Sequence, residues 1–420
     1  MIKNITGYSY NDLTIIPSVI SKISSRSECN PFINENNLLP IFTAPMASVV
    51  NEKNLDNFNS NGIIPILPRN ISLEVRKKIM NDKQWVALSL KEFEDLFINN
   101  YIDRINNSDV HYYICVDIAN GHMESLYSKC YEAKKLAIEN NYELTIMTGN
   151  IANPETYAWI CNFNRLCGDT IIDYIRVGVG GGSGCITTSN VSIHYPQASL
   201  IDECYKVKRS LLTLHDNLGE PKYNKALLPK IVADGGIRNY DHVIKALALG
   251  ADYVMIGSLF AQCIESAGEK FVEDGKTPIK IDEYENFVCC NGESWKGILN
   301  EITLKNKYLQ IFNGNNKNLD KNINIFKKNY GEDILGKIYV KFFGMASSDG
   351  QKSISGEKTK TAEGITKYLP VKYTLKGWVD NMISYLRSAM SYTNCSTLDE
   401  FIGTPDLIIN SISEIHAVNK

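Results

Sequence analysis

KIVADGGIRNYDHVIKALALGADYVMIGS, residues 230–258, carries the clearest structural pattern of the chain. Two short, continuously apolar runs flank an amphipathic segment, 241–251, in which Val243, Leu247 and Ala251 share one helical face. Continuous apolar runs are typical of parallel strands that are buried on both faces. The stretch therefore predicts a strand–helix–strand unit with two parallel strands.

Six similar runs precede this unit, and most runs start 22 to 32 residues after the previous one, which leaves room for one helix and two loops. The eight runs are PIFTAPM (40–46), GIIPILP (62–68), QWVALSL (84–90), YYICVDI (112–118), LTIMTGN (144–150), IDYIRVGVG (172–180), KIVADGG (230–236) and DYVMIGS (252–258). Eight repeats predict an α/β fold, a (β/α)8 TIM barrel; a doubly wound open sheet is the alternative. In a barrel, the functional residues lie at the carboxyl ends of the strands.

The composition excludes several classes of function. The 420 residues contain 44 Lys and Arg against 47 Asp and Glu, a net charge of −3, which gives no electrostatic reason to expect nucleic acid or an anionic membrane as a partner. The start of the chain lacks a signal-peptide pattern, and the most apolar long stretch, 242–263, is interrupted by Lys245 and Asp252. We therefore expect a cytoplasmic protein that does not span a membrane.

The eleven cysteines include no CxxC pair and no Cys/His cluster at zinc spacing, which indicates reduced thiols and argues against structural zinc or a disulfide framework. The length allows two or three domains, but the repeats predict one barrel domain over 1–420. Residues 268–340 overrun the regular spacing, and 311–330 contain seven Asn and four Lys. This composition favours a solvated insertion within the barrel over a second catalytic domain.

The segment VGVGGGSGCITTS (177–189) follows the sixth predicted strand and places five glycines before Cys185. Glycines permit close approach of the backbone to a ligand, so the loop suits the binding of an anion or a cation. A thiol on such a loop is a candidate nucleophile. The alternative is an incidental small residue in a common glycine-rich turn.

ADGGIR (233–238) and MIGS (255–258) end the seventh and eighth predicted strands with glycines and a hydroxyl. In barrels, backbone N–H groups at these two positions commonly hold a phosphate; plain turns are the alternative. With the thiol on the preceding loop, the pattern predicts a phosphorylated ligand that reaches toward a nucleophile.

Several ordered motifs resemble the IMP dehydrogenase/GMP reductase family. They are GGSGCITT, YPQAS (195–199), IVADGGIR, DYVMIGSLFAQCIES and KFFGMASS, and the resemblance runs from YSYNDLTIIPS near the N-terminus to LRSAMSY (386–392). It implies a barrel that binds a purine nucleotide such as GMP or IMP, attaches carbon C2 of the purine to the loop cysteine and exchanges a hydride with a nicotinamide cofactor. It also implies a homotetramer.

The resemblance assigns roles to individual residues. It implies that Cys185 is the nucleophile and that Asp117 and Asn150 face the ligands on the cofactor side. It implies a potassium site at the carbonyls of Gly180 and Gly182, together with that of Cys185. The remaining matching positions, all on the substrate, are Ser183, Asp234, Gly236, Gly257 and Ser258 around the ribose and phosphate, and Gly344 and Met345 near the base.

The two branches of the family differ after KFFGMASS, in a segment, 341–370, that the resemblance identifies as a mobile catalytic flap. Dehydrogenases hydrolyse their covalent intermediate with an Arg–Tyr pair, but residues 346–363 contain neither Arg nor Tyr. Glu363 instead resembles the reductase glutamate that pairs with the hydroxyl two residues after the cysteine, here Thr187. A carboxylate and a hydroxyl next to a departing amine can transfer the proton that converts it to ammonia.

This resemblance predicts an NADPH-dependent GMP reductase. One alternative is an IMP dehydrogenase without regulatory modules, since only residues 69–83 separate the second and third predicted strands. Another alternative is a catalytically silent nucleotide-binding barrel. The chain departs from the family pattern at Ala47, where many relatives have an acid, at Phe342, where a tyrosine often reaches the phosphate, and in its long 268–340 insertion.

Overall fold

The computed structural model describes residues 6–100, 110–215, 221–272, 276, 278, 338–357 and 361–411. Its strands, in chain order, are β1 (Leu13–Ile15), β2 (Ile41–Thr43), β3 (Ile66–Leu67), β4 (Trp85–Leu88), β5 (His111–Val116), β6 (Glu143–Ile151), β7 (Tyr174–Val177), β8 (Lys230–Asp234), β9 (Tyr253–Ile256), β10 (Lys270–Val272), β11 (Ile338–Phe343), β12 (Thr366–Pro370) and β13 (Leu407–Ile409).

Twelve α-helices fall within these described ranges. They are α1 (Leu55–Ser60), α2 (Leu73–Asn81), α3 (Leu90–Glu94), α4 (Glu124–Glu139), α5 (Pro154–Cys167), α6 (Thr187–Val191), α7 (Gln197–Leu212), α8 (Tyr240–Ala248), α9 (Ser258–Ala261), α10 (Ser348–Ser355), α11 (Leu375–Tyr392) and α12 (Leu398–Phe401). Shorter helical turns cover Tyr10–Asp12, Arg26–Glu28, Asp95–Asn99 and Lys225–Leu227.

Strands β2 to β9 form one parallel sheet in the order β2-β9-β8-β7-β6-β5-β4-β3. The two ends of this sheet meet, because Thr43 N–H donates to Ile64 O at 2.9 Å and Ile64 N–H donates to Ile41 O at 2.9 Å. An open doubly wound sheet would leave both edges unpaired. The (β/α)8 barrel predicted from the eight apolar runs is therefore confirmed.

Each predicted run overlaps one barrel strand, and every barrel strand except β6, Glu143–Ile151, is shorter than its run. β3 is the extreme case, with two residues in a seven-residue run. Pro65 and Pro68 flank it, and proline has no N–H to donate to a neighbouring strand. Side chains from alternate strands fill the barrel interior, among them Phe42, Trp85 and Met147, which are buried together.

Helix α11 takes the place of the eighth outer helix. Its Trp378 is almost fully buried, stacks on Tyr240 of α8 with ring centroids 5.2 Å apart and meets Phe260 edge to face at 4.9 Å. The outer layer is thus closed by a segment that lies more than 100 residues after β9. The intervening chain includes the predicted insertion and the predicted flap.

Most of the predicted 268–340 insertion, including 311–330, lies outside the described residues. Its two ends are described, and they pair in an antiparallel sheet, with Lys270 opposite Val340 and Val272 opposite Ile338. β12 joins the other edge of β11. The chain therefore leaves and re-enters the barrel at adjacent positions. Among the described helices, none is both long and apolar enough to cross a bilayer.

Candidate active site

A cleft of about 230 Å3 opens at the carboxyl ends of the barrel strands. Most of the predicted site residues line it: Asp117, Gly182, Ser183, Cys185, Asp234, Gly236, Gly257, Ser258, Gly344, Met345 and Glu363. The cleft runs from the turns after β8 and β9 to Asp117 after β5, which is on the opposite side of the barrel. Thr187, Asn150 and Gly180 are not among the lining residues, and their contacts are described below.

Cys185 is half-buried and belongs to a three-residue hydrogen-bonded chain. Its Sγ donates to Thr187 Oγ1 at 3.1 Å, and Thr187 Oγ1 donates to Glu363 Oε2 at 3.3 Å. The second contact is longer than the optimum of roughly 2.7–2.8 Å for hydroxyl donors, and such contacts often tighten when a substrate binds. The arrangement connects the thiol of Cys185 to a carboxylate through one hydroxyl.

Backbone hydrogen bonds hold Glu363 beside the cysteine loop. Ile186 N–H donates to Glu363 O at 3.1 Å, and Ile365 N–H donates to Gly184 O at 3.0 Å. These bonds pair two segments that are far apart in the sequence, and they need close backbone packing. A Cβ on Gly364 would lie 2.9 Å from Gly184 O, so only glycine fits there without a shift.

We expect Gly364→Ala to lower kcat by about 10- to 100-fold, because a displacement of the flap by about 1 Å separates Glu363 from Thr187. Steady-state kinetics measure the effect. Gly356→Ala, in the same segment but outside the cleft lining, is the comparison variant: its Cβ would meet nothing within 4 Å, so only the backbone strain at its φ of 80° is added and a smaller loss is expected. Equal losses of kcat in the two variants would mean that the close packing of Gly364 on Gly184 does not position Glu363.

A buried arginine links two of the predicted acids. Arg176 of β7 is only 8% exposed; its Nη1 lies 2.7 Å from Asp117 Oδ1, and its Nη2 lies 2.9 Å from Asp234 Oδ2. Arg69, after β3, adds a second cation at 3.2 Å from Asp117. Asn150 donates to Asp234 Oδ2 at 2.7 Å and to Gly178 O at 2.8 Å, so both of its amide hydrogens are engaged.

The ion pairs outweigh the cost of burial. Burial alone favours the neutral form of Arg176, but Asp234 and Asp117 raise its pKa above the usual value. Burial likewise favours the neutral form of Asp117, but Arg176 and Arg69 hold the pKa of that carboxyl below its usual value. Asp117 is therefore a fixed negative charge on the floor of the cleft.

Removal of the arginine is expected to destabilise the fold. Arg176→Met leaves two largely buried carboxylates without their main partner, which should cost about 3–5 kcal/mol in the free energy of unfolding. Urea denaturation measures this quantity. Arg165→Met is the control: its guanidinium donates to the side chain of Asn162 and lies 5.4 Å from the ring centroid of Tyr223, and within the described residues it has no carboxylate partner. A loss no larger than that of the control would mean that the pairs contribute nothing net.

The turns predicted to hold a phosphate adopt glycine-dependent conformations. Gly235 and Gly236 have φ angles of 114° and 73°, which other residues rarely adopt. Gly236 N–H donates to Gly181 O at 3.0 Å, which ties the turn after β8 to the glycine-rich loop. A phosphate oxygen would have to replace Gly181 O to use this N–H group.

The carbonyls predicted to hold potassium already accept hydrogen bonds. Thr188 Oγ1 donates to Gly180 O at 3.2 Å, and Cys185 N–H donates to Gly182 O at 3.0 Å. Each carbonyl oxygen keeps a second lone pair, so the pair is compatible with a cation that brings further oxygen ligands. Within the described ranges, no group of three or more His, Cys, Asp or Glu side chains forms a metal site.

Sequence reasoning missed Arg176 and Arg69. The apolar run 172–180 contains two charged residues, Asp173 near its start and Arg176 in its middle. An arginine in a buried strand needs a partner of opposite charge. That signal predicts an ion pair but not its partners.

The chain is similar to known proteins of one family. A family model described as IMP dehydrogenase / GMP reductase domain matches residues 7–286, which include Cys185 but end before Glu363. A GMP reductase from Staphylococcus epidermidis is 31% identical over 287 residues, covering 66% of this chain and 77% of the relative. A GMP reductase from Streptococcus gordonii is 28% identical over 313 residues, covering 72% of this chain and 83% of the relative. A GMP reductase from Helicobacter pylori is 30% identical over 278 residues, covering 64% of this chain and 75% of the relative.

Proposed function

The chain belongs to the IMP dehydrogenase / GMP reductase family, and from this we propose that it is an NADPH-dependent GMP reductase, which converts GMP to IMP and ammonia. The observation that carries the proposal is the hydrogen-bonded chain from Cys185 through Thr187 to Glu363. It supports reductive deamination because it moves protons at the site of attack and requires no activated water. The names of the similar proteins support the same choice.

GMP would lie across the cleft with its phosphate at the turns after β8 and β9. Gly236, Gly257 and Ser258 would contact the phosphate with Ser183 from the loop, and the carboxylate of Asp234 would accept from the ribose hydroxyls. Gly344 and Met345, which line the same cleft, would contact the purine. This arrangement brings carbon C2 of the base to the sulfur of Cys185.

In the first half of the reaction, the sulfur of Cys185 bonds to C2 and its proton passes through Thr187 to Glu363. Glu363 then returns a proton through the hydroxyl to the amine on C2. The carbon–nitrogen bond breaks, ammonia leaves and the purine remains attached to the sulfur as a thioimidate. The proton lost by the thiol thus ends on ammonia, so this half-reaction consumes no external proton.

The reduced nicotinamide cofactor supplies the hydride that replaces sulfur on C2. The chain's contribution to this second half is to hold C2 in place and to accept the electron pair on the sulfur of Cys185. The segment that contacts Asp117 through Arg69, next to the cleft, has a group that would fit such a ligand. The side-chain oxygen of Asn70, next to Arg69, is buried without a hydrogen-bond partner among the described residues, and a carboxamide carries N–H groups that suit it.

Asp117 is the fixed anion on that side of the cleft, where it is available to ribose hydroxyls or the carboxamide of the cofactor. Asn150 would act mainly by orienting Asp234, since its amide hydrogens are engaged.

We also propose potassium at Gly180 and Gly182, a homotetramer and a single barrel domain over 1–420 with 341–370 as the catalytic flap. A cytoplasmic location is supported by the nine described cysteines, all of which are free thiols.

Absorbance at 340 nm tests the proposal. Loss of absorbance with GMP and NADPH, with one ammonia formed for each NADPH consumed, is the expected result. A gain of absorbance with IMP and NAD, and no reaction with GMP, would identify an IMP dehydrogenase instead. No change in either mixture would leave a nucleotide-binding barrel without this chemistry.

A further inference from the structure

His242 lies directly behind the turn that follows β8. It belongs to α8, is only 2% exposed and does not line the cleft. Its Nδ1 lies 2.9 Å from Gly236 O and 3.2 Å from Arg238 N, so one ring nitrogen contacts the backbone on both sides of Ile237. No other described side chain has a hydrogen bond to either of these two backbone groups.

Either tautomer of the imidazole keeps a hydrogen bond to the turn, and Asn11 selects one of them. With the proton on Nδ1, the ring would donate to Gly236 O but would present a bare Nε2 to the acceptor Asn11 Oδ1; with the proton on Nε2, the ring donates to Asn11 Oδ1 and Nδ1 accepts from Arg238 N–H. Nε2 lies 2.7 Å from Asn11 Oδ1, and the ring centroid lies 5.5 Å from that of Tyr10. The ring is therefore held from behind by the N-terminal segment while Nδ1 stays on the turn.

The surroundings keep the imidazole neutral near pH 7. Burial, the largest influence, lowers the pKa of His242, and Lys245 and Arg238 lower it further. Asp241 and Gly236 O act in the opposite direction but do not outweigh burial. Lys245 is itself neutralised by Asp241 at 2.8 Å and donates to Tyr10 O at 3.1 Å. A neutral ring with its proton on Nε2 donates to Asn11 and accepts from Arg238 N–H at Nδ1.

We propose that His242 is a positioning residue that holds the turn Asp234–Arg238 in the shape that receives the 5′-phosphate of the nucleotide. The inference rests on the proposed function for the identity of that nucleotide. Gly235 and Gly236 have little intrinsic conformational preference, so the shape of the turn must be imposed by contacts from outside it. Within the described residues, the hydrogen bonds that reach the backbone of Gly236 and Arg238 from outside the turn are those of His242 Nδ1 behind it and Gly181 O in front of it.

The test compares nucleotide with nucleoside binding to the full-length protein by calorimetry. His242→Leu should raise the Kd for GMP by about tenfold, the effect of a lost hydrogen bond of about 1.4 kcal/mol, and leave the Kd for guanosine within about twofold. His242→Asn should recover most of the GMP affinity, because its side-chain amide reaches the position of Nδ1. Asn11→Ala removes only the partner of Nε2 and should bind GMP like the unaltered protein.

Three results would overturn the inference: parallel losses for GMP and guanosine in His242→Leu, an Asn variant no better than the Leu variant, or unchanged GMP affinity in both. The same comparison with IMP and inosine keeps the inference separate from the proposed function. If the unaltered protein causes no loss of absorbance at 340 nm with GMP and NADPH but binds IMP more tightly than inosine, the proposed function is wrong. The inference on His242 is then tested by comparing the Kd values of its variants for IMP and inosine. Binding of neither nucleotide would reject both claims.

Discussion

Replacement of Cys185 by serine is expected to reduce turnover of GMP by at least about 1,000-fold, because a hydroxyl is a far weaker nucleophile than a thiol and the reaction has no other route to C2. Binding should persist, since the turns after β8 and β9 and Asp234 are unchanged. The expected result is therefore a loss in kcat with a Kd for GMP within a few fold of the unaltered protein. Steady-state kinetics and calorimetry together measure it.

Cys167→Ser is the matched control. Cys167 is also a free, half-buried thiol, but it lies at the end of α5 and away from the cleft. It should retain full activity. Comparable losses in the two variants would point to a general role of thiols in stability, and full activity of Cys185→Ser would exclude the covalent mechanism.

Glu363→Gln is expected to lower kcat by about 100- to 10,000-fold, because glutamine can neither take the thiol proton nor return it to the amine. Its backbone bonds to Ile186 and Ala346 should persist, so the flap should keep its place. Glu357→Gln, an exposed glutamate of the same segment, is the control and should change kcat little. Steady-state kinetics with GMP and NADPH compare the variants.

Thr187→Val breaks the same chain at its centre and should produce a loss of similar size. Since the three residues act as a unit, the double variant should be little worse than either single variant. Independent, multiplying losses would mean that Thr187 and Glu363 act on different steps. A Glu363→Gln variant with normal kcat would remove the main reason for choosing the reductase.

The barrel was predictable because each of its strands overlaps an apolar run in the sequence, and several of these runs end in Gly, Asn or Pro. Cys185 was predictable as a candidate nucleophile from its glycine-rich loop, but Thr187 and Glu363 were predictable only through resemblance, since composition alone makes Glu363 a solvated charge. The packing that brings these residues together cannot be predicted from either segment alone. It depends on the contact between Gly184 and Gly364, which are far apart in the sequence and meet only when the flap folds back over the loop.

The role of Arg176 illustrates a second limit. A buried arginine in a strand indicates that an anion is near, but Asp117 and Asp234 come from strands on either side of it in the barrel. The register of several strands decides which acids face inward together. The contacts of His242 could not be predicted for the same reason. The sequence of its helix α8 indicates only a structural role, and the curvature of the turn after β8 brings Gly236 and Arg238 to one ring nitrogen of His242.

The central claim is that the purine becomes bonded to Cys185 as its nitrogen leaves. Mass spectrometry of the peptide that contains Cys185, after rapid acid quenching of the enzyme during turnover of GMP and NADPH, examines that bond directly. We predict a purine nucleotide lacking the C2 amine, attached to this cysteine and missing from the Cys185→Ser variant. An unmodified Cys185 peptide at every quench time, while ammonia accumulates, would contradict the account.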